Sequence, residues 1–415
     1  MTGLLIVNLI LGIIFVFCYG YQLAYILVAY LKKDKPLHEP KRNRIAALIC
    51  ARNEEKVISK IITSLKEQSY DKDLYQIFVA ADNCTDSTAK VARDEGVTVY
   101  ERFSSEERGK GYALNFLIHK IWEDYGEDAF DGFVVFDADN LADKNFLAEI
   151  NKVFSGGYDV VTSYRNSSNY GENWLTAGMG MYFLRDATIM NRARAKLGCN
   201  TCVTGTGFLF SNSLAKANGG WPYHTLTEDG EFTLDNACKG IPTAYAHNAI
   251  FYDEQPETHK DSWDQRVRWC KGGLQIFRLY LGRLVKGIFS RRFLSFFDMA
   301  NFLFCAYFTA VVATVANLIA VPLALVSGAD PMQVLVMFLA MSGFVYVALS
   351  SFSIAVTISD WRRISAKPWK KVLYSLTFPA FVFSFALPAF AAIFKKKVEW
   401  KSPPRKPVEY PEEKL

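Results

Sequence analysis

The 415-residue chain has no Lys/Arg-rich stripe interleaved with aromatics, and its formal net charge is only +5. Without that electrostatic footprint, nucleic-acid binding has no support. Cysteine is scattered: of eight, only Cys199 and Cys202 form a C-x-x-C, and no second pair matches it. A zinc site needs about four ligands, so buried, reduced thiols are the better reading. The apolar runs lack the paired charges that mark ion pathways, which disfavours a transporter. With 15% aromatics and 21% charged residues, wholesale disorder is excluded. Mean hydropathy is +0.07, too polar for membrane helices alone and too apolar for an ordinary cytosolic enzyme. Such an average conceals a mixture of parts.

The apolar part comes in separate runs. Residues 1–31 suffice for one membrane span. They have no charged n-region and exceed the usual signal-peptide core, so an uncleaved anchor is expected. Lys32, Lys33, Lys35, Lys41, Arg42 and Arg44 follow, which places the next segment in the cytosol. Residues 45–271 read as a soluble domain. Residues 272–297 mix Leu274, Ile276, Phe277, Leu279, Leu281 and Leu284 with Arg278, Arg283, Lys286, Arg291 and Arg292, the pattern of an interfacial amphipathic helix. Membrane segments are expected over 298–394, the last of them bent or broken by Pro379 and Pro388. A polar tail, 395–415, closes the chain. One span before the domain and three after it would put this basic tail outside, against the positive-inside rule, so a broken last segment with a cytosolic tail is expected. The resulting picture is a multi-pass plasma-membrane protein with a cytosolic domain.

Within that domain, residues 45–50 form a continuous apolar run, as in a strand buried on both faces. A helical pattern follows through Val57, Ile58, Ile61, Ile62 and Leu65. Further strands are expected at 75–81, ending at Asp82, at 97–100, at 132–136, ending at Asp137, and at 158–164. Helices are expected after a Thr85 or Asp86 cap, over 111–122, and after an Asp143 cap. The alternation gives an α/β class with a mostly parallel sheet and helices on both faces. Ligands of such sheets bind at the carboxyl ends of the strands, where Asn53, Asp82 and Asp137 all fall.

Several residues at this edge carry chemistry, each with a plainer alternative. Asp137-Ala-Asp139 is suited to hold Mg2+ or Mn2+ against a diphosphate, yet strand-end Asp also caps helices. Asp82 is equally at home in a turn. Lys110 follows a glycine near a helix start, where its charge would meet a phosphate, or it is simply solvated. Glu228 and Asp229 are adjacent carboxylates, either solvated or able to take a proton from a hydroxyl. Gln265, Arg268 and Trp269 share one helical face. That face suits a sugar and a diphosphate, or a membrane interface.

Taken in order, Ala51-Arg-Asn-Glu54, Asp82, Gly109-Lys-Gly-Tyr-Ala-Leu-Asn115, Asp137-Ala-Asp139, Thr204-Gly-Thr-Gly-Phe208, Thr227-Glu-Asp229 and Gln265-Arg-Val-Arg-Trp269 resemble the family 2 inverting glycosyltransferases. The likeness is to their membrane-embedded branch, which includes cellulose, chitin, hyaluronan and poly-N-acetylglucosamine synthases, and it spans residues 45–290. It implies a GT-A fold, a UDP-sugar donor (glucose or N-acetylglucosamine first) and Mg2+ or Mn2+ as cofactor. By this resemblance Ala51, Asn53, Glu54 and Asp82 would serve the uridine end of the donor and Lys110 the diphosphate. Asp137 and Asp139 would flank the metal and the donor. Thr204, Gly205, Thr206, Gly207 and Phe208 would floor the acceptor end. Asp229, beside Glu228, would be the general base, and Gln265, Arg268 and Trp269 would close over diphosphate and acceptor. The implied product is a growing β-linked polysaccharide; a glycolipid, as made by ceramide glucosyltransferases, is the alternative. A non-catalytic scaffold is disfavoured by the intact acids. The chain shows fewer apolar runs than the larger synthases, so a lone copy would make a narrow channel and accessory secretion proteins are expected as partners.

Overall fold

A computed structural model describes residues 2–34 and 36–396; beyond Lys396, the expected polar tail lies outside the described residues. In chain order, helix α1 (Thr2–Leu31) leads to strand β1 (Ile45–Ala51), α2 (Ile58–Lys66), β2 (Tyr75–Asp82), α3 (Thr88–Asp94), β3 (Thr98–Arg102) and α4 (Lys110–Tyr125). Next come β4 (Gly132–Asp137), β5 (Leu141–Ala142), α5 (Phe146–Phe154), β6 (Val160–Ser167), α6 (Trp174–Arg185) and α7 (Arg192–Leu197). The domain closes with β7 (Phe208–Ser211), α8 (Asn212–Asn218), α9 (Glu228–Lys239) and β8 (Thr243–Asp253). Four longer helical segments complete the chain: α10 (His259–Ile288), α11 (Phe293–Val326), α12 (Pro331–Ser359), and α13 (Pro368–Phe383) with α14 (Ala386–Phe394).

The eight strands form one sheet in the order β3-β2-β1-β4-β7-β6-β8-β5. β1 shows why its sequence is apolar throughout. Side chains alternate between faces: Ile45, Ala47 and Ile49 pack with Ile58, Ile61, Ile62 and Leu65 of α2 and Phe146, Leu147 and Ile150 of α5. Ala46 and Leu48 pack on the other face with Leu114, Leu117, Ile118 and Ile121 of α4. Truncating one such buried Ile or Leu would cost about 2–5 kcal/mol. The expected parallel arrangement holds for β3, β2, β1 and β4, but the whole sheet is mixed. β7 pairs antiparallel with both β4 and β6, because the chain enters β7 from a loop at the opposite edge. The carboxyl ends of β2, β4 and β8 nonetheless share one edge, and each ends in an aspartate: Asp82, Asp137 and Asp253. Asp143 does not cap α5. Its carboxylate accepts the Asn145 N–H at 2.9 Å in the preceding turn, and Asn145 occupies the cap position.

Among the described residues, three helices are long and apolar enough to cross a membrane: Thr2–Leu31, Pro331–Ser359 and Pro368–Phe394. Their outward faces expose Leu5, Leu9, Ile13, Leu335, Phe338 and Leu339, an apolar surface that water would not tolerate in a monomer. The last of them is interrupted between Phe383 and Ala386. Pro388 stands in the first turn of α14, where a missing N–H costs no helix bond. Both ends of this broken unit touch the domain. Lys370, near the start of α13, donates to the Gly171 carbonyl at 2.5 Å, and Lys271 of α10 donates to the Ala392 carbonyl of α14 at 3.2 Å.

The stretch 272–297, read from sequence as one helix, is divided between two. Its first part completes α10, which already begins at His259; the Ser290 hydroxyl, donating to the Gly287 carbonyl at 2.6 Å, marks the turn before α11. The Gln265–Trp269 motif is therefore in the first half of the same helix, and Arg266 within it anchors it to the interrupted apolar unit of α13 and α14. Arg266 donates to the Ser384 hydroxyl at 2.5 Å and lies over the rings of Phe381 and Phe385.

Candidate active site

A cavity of about 1290 Å³ opens at the carboxyl edge of the sheet, between the domain and α10. Ordinary ligand pockets measure roughly 300–1,000 Å³, so this one has room for two substrates at once. Its lining includes Ala51, Glu54, Asp82, Lys110, Asp137, Asp139, Thr204, Gly205, Glu228, Asp229, Gln265, Arg268 and Trp269.

Four of the residues singled out by sequence do not line it, for identifiable reasons. Asn53 adopts a positive φ of 56° and its side-chain oxygen accepts the Thr85 N–H at 2.8 Å, so it shapes the loop after β1. The Thr206 hydroxyl is buried against the Asn140 side-chain oxygen. Gly207, at φ 64°, lets the chain pass where a Cβ would strike the Phe251 ring at 2.1 Å. Phe208 is the first residue of β7, and its ring packs in an aromatic core with Phe210, Trp221 and Phe232. Of residues 204–208 only Thr204 and Gly205 face the cavity.

At one end of the cavity Asp82 is held by Arg102, 2.8 Å away and buried with it. Arg102 in turn lies 5.9 Å from the Tyr112 ring centre, and Tyr112 stacks on His224 at 4.0 Å. Partial burial lowers the His224 pKa below the ordinary imidazole value, against the opposing pull of Glu231 and Glu107.

In the middle, the Lys110 ammonium donates to the Asp137 carboxylate and, at 2.8 Å, to the Gly205 carbonyl. It thereby bridges the Asp-x-Asp turn and the loop before β7. Burial opposes the Lys110 charge, but Asp137 and Glu228 outweigh it and leave its pKa above the ordinary lysine value. Asp137 and Asp139 are hard oxygen donors suited to Mg2+ or Mn2+. Among the described residues no group of three or more His, Cys, Asp or Glu is placed to hold a metal, so an ion here would draw further ligands from substrate oxygens or water. The two carboxylates fit that role, because such ions are commonly held by one or two carboxylates plus substrate phosphates.

At the other end, Glu228 and Asp229 open α9, where the helix dipole favours negative charge. A Cβ on Gly205 would stand 3.6 Å from the Asp229 Oδ2, so the absent side chain leaves that oxygen uncovered on the Gly205 side. Burial, then the adjacent Asp229 charge, pushes the Glu228 carboxyl up to about 7. Burial also raises Asp229, while the Gly230 N–H, Arg268, Lys110 and Arg165 act in the opposite direction. α10 lies close over this pair: Arg268 donates to the Leu226 carbonyl at 3.1 Å, and Gln275 accepts the Leu226 N–H at 3.0 Å. Trp269 lies among Tyr182 and Phe183 of α6, at centroid distances of 6.5 and 5.7 Å. Phe302 of α11 and Lys395, just past α14, also reach the lining.

Sequence reasoning missed Arg102, Asn140, Arg165, Tyr182, Phe183, Asp253 and Arg266. For Asp253 a signal was available: like Asp82 and Asp137 it ends a strand at the same edge. Asn140 and Arg266 stand beside or within the quoted motifs, and Arg102 and Arg165 lie at expected strands, but Tyr182 and Phe183 come from α6, whose placement no local pattern reveals.

Residues 41–272 match the model of a family described as glycosyltransferase like family 2. A β-monoglucosyldiacylglycerol synthase from Synechocystis is 26% identical over 243 residues, 57% of this chain and 49% of that protein. A poly-β-1,6-N-acetyl-D-glucosamine synthase from Staphylococcus aureus is 22% identical over 260 residues, 59% of this chain and 58% of that one. The match thus spans about half the length of the first of these relatives and 58% of the second. A mannosyltransferase from Pyrobaculum calidifontis, solved in complex with GDP-Man and Mn2+, shares the fold with a TM-score of 0.61 at 17% identity, covering 94% of this chain and 100% of that one.

Proposed function

The chain belongs to the glycosyltransferase like family 2, and from that membership we propose that it is a membrane-bound inverting enzyme using a UDP-sugar donor and extending a β-linked polysaccharide. The observation that carries this reading is the convergence, in one cavity, of a cation beside a pair of metal-suited aspartates and of a half-buried carboxylate pair beneath an Arg–Trp helix face. Asp229 accepts the proton of the acceptor hydroxyl. That oxygen bonds to the anomeric carbon from the face opposite UDP, the carbon–oxygen bond to the diphosphate breaks, and UDP leaves with the electron pair. Lys110 and Arg268 offset the charge that builds on the leaving group. A Mg2+ or Mn2+ held by Asp137 and Asp139 would supply Lewis-acid stabilisation to the same group. Trp269, with Tyr182 and Phe183, offers an aromatic surface to the acceptor sugar. Asp82, Ala51 and Glu54 line the nucleotide end.

The geometry also supports a topology in which α13 and α14 dip into the bilayer and return, since both ends of the unit contact the domain. The tail would then leave on the domain's side, which the basic residues after α1 and at 395–397 assign to the cytosol.

A second reading, a glycolipid product, is favoured by Phe302 of α11 and Lys395 just past α14, which bring the apolar C-terminal helices to the cavity wall, and by the name of the Synechocystis relative. One experiment separates the two. The protein in lipid nanodiscs receives labelled UDP-glucose or UDP-N-acetylglucosamine with Mg2+ or Mn2+, and products are separated by size and solvent partition. A long, hydrolase-sensitive product supports polymer synthesis, and a short lipid-extractable one supports the glycolipid. Absence of any labelled sugar product with every donor refutes both.

A further inference from the structure

One buried polar cluster outside the motif residues joins the two segments that Lys110 bridges from the cavity side, the Asp137–Asp139 turn and the loop before β7. Its centre is Asp253, at the end of β8, only 4% exposed. One carboxylate oxygen accepts the Asn140 side-chain N–H at 3.0 Å. The other accepts from the Arg165 Nε at 3.0 Å, from a second Arg165 nitrogen, and from the Gln255 amide at 2.8 Å.

Each arm then continues to a different part of the site. The Asn140 side-chain oxygen accepts the Asp137 backbone N–H at 3.0 Å and the Thr206 hydroxyl, and its amide nitrogen reaches Asp139 Oδ1 at 3.4 Å. The remaining Arg165 nitrogen donates to the Thr204 carbonyl, while the guanidinium lies 3.5 Å from the Phe183 ring centre.

A buried ion pair of this kind is weak support for stability, because apolar residues of similar volume often serve as well. A fully satisfied network does fix geometry. We propose that Asp253 is a positioning residue that sets the donor end against the acceptor end, holding the Asp137–Asp139 turn through Asn140 and the Thr204 loop through Arg165. The proposal rests on the glycosyl-transfer reading. In that reaction the acceptor oxygen and the anomeric carbon are brought together by these two segments. An error of about 1 Å in such a placement costs on the order of 100-fold in rate. With the acceptor displaced, water competes for the activated donor, so sugar is lost to hydrolysis.

The test compares wild type with Arg165→Lys, which keeps the charge but cannot fork, and Asn140→Asp, which keeps the size but turns a carboxylate towards Asp253. Transfer, free-sugar release, donor KM, melting temperature and UDP affinity without added metal are measured for each. The expected result is a fall in transfer kcat of roughly 100-fold with a several-fold rise in the hydrolysis-to-transfer ratio. Donor KM and UDP affinity stay within about threefold of wild type. An unchanged hydrolysis-to-transfer ratio in both variants, with rates falling only as far as folded protein is lost, overturns the positioning role. A wild type that binds UDP but neither transfers nor hydrolyses the donor overturns the proposed function, and this inference with it.

Discussion

Replacing Asp229 by Asn removes the group to which the account gives the acceptor proton, at almost no cost in shape. General-base assistance is worth about 10²–10⁴ in rate, or roughly 3–5 kcal/mol of barrier. The upper part of that range is expected here, because desolvation raises the Asp229 pKa and makes it a stronger base. UDP should still bind within about threefold of wild type, since Lys110 and the nucleotide end of the cavity are untouched. The pH profile adds a second reading. A base works only when ionised, so activity is lost as pH falls through its pKa. Burial holds both carboxyls above the ordinary range, with Glu228 pushed up to about 7. The acid limb of kcat/KM should therefore lie above pH ~4, the value for a free carboxylate. Burial rather than Glu228 raises Asp229, so Glu228→Gln should leave the limb above that value. Initial rates of UDP release and transfer across pH, paired with calorimetric UDP titration, test this directly. Turnover of Asp229→Asn within a few-fold of wild type, or an acid limb at the free-carboxylate value, would refute the reasoning.

Three further outcomes are expected. Asp139→Ala, or chelation of divalent ions from wild type, should abolish transfer; full turnover in the presence of excess chelator would rule out the metal role. Trp269→Ala should raise the acceptor KM and shorten the product while leaving the donor KM nearly unchanged, so unaltered product length and acceptor KM would count against the acceptor surface. Gly272→Ala would set a Cβ 2.4 Å from the Thr227 hydroxyl oxygen, forcing α10 away from α9. Overpacking of this kind costs about 1–3 kcal/mol and should lower kcat through Arg268 and Trp269, whereas Gly282→Ala, in open space on the same helix and away from the cavity, should be neutral in the same assay.

The half of the domain that reads from sequence is the half where local pattern and burial agree. β1, β2 and β4 are largely apolar runs between two helical layers, and the Asp residues that end β2 and β4 fall where the chain leaves the sheet. The other half hides its pattern. β7 is four residues long, and β8 carries His247 and Asn248 across an irregular register opposite Ser163 and Tyr164. α6 is covered by both the sheet and α13, so Gly178, Met179, Gly180 and Met181 are all buried and no amphipathic stripe marks it. The same cause concealed Tyr182 and Phe183. Sequence order led Phe208 to be grouped with Thr204 and Gly205, but strand alternation and the turn at Gly207 carry its ring into the core. The division of 272–297 was hidden because the apolar residues of α10 face two partners in succession, Val267 and Cys270 towards α14 and Ile276 and Leu284 towards α9 and α11.

The most direct test of the central claim is the anomeric configuration of the product. UDP-glucose and UDP-N-acetylglucosamine carry the sugar in the α configuration, and a single displacement aided by Asp229 must invert it. Nuclear magnetic resonance of product made with carbon-13-labelled donor should show only β linkages from the first turnover. An α-linked product would contradict the single displacement and the base role of Asp229 together.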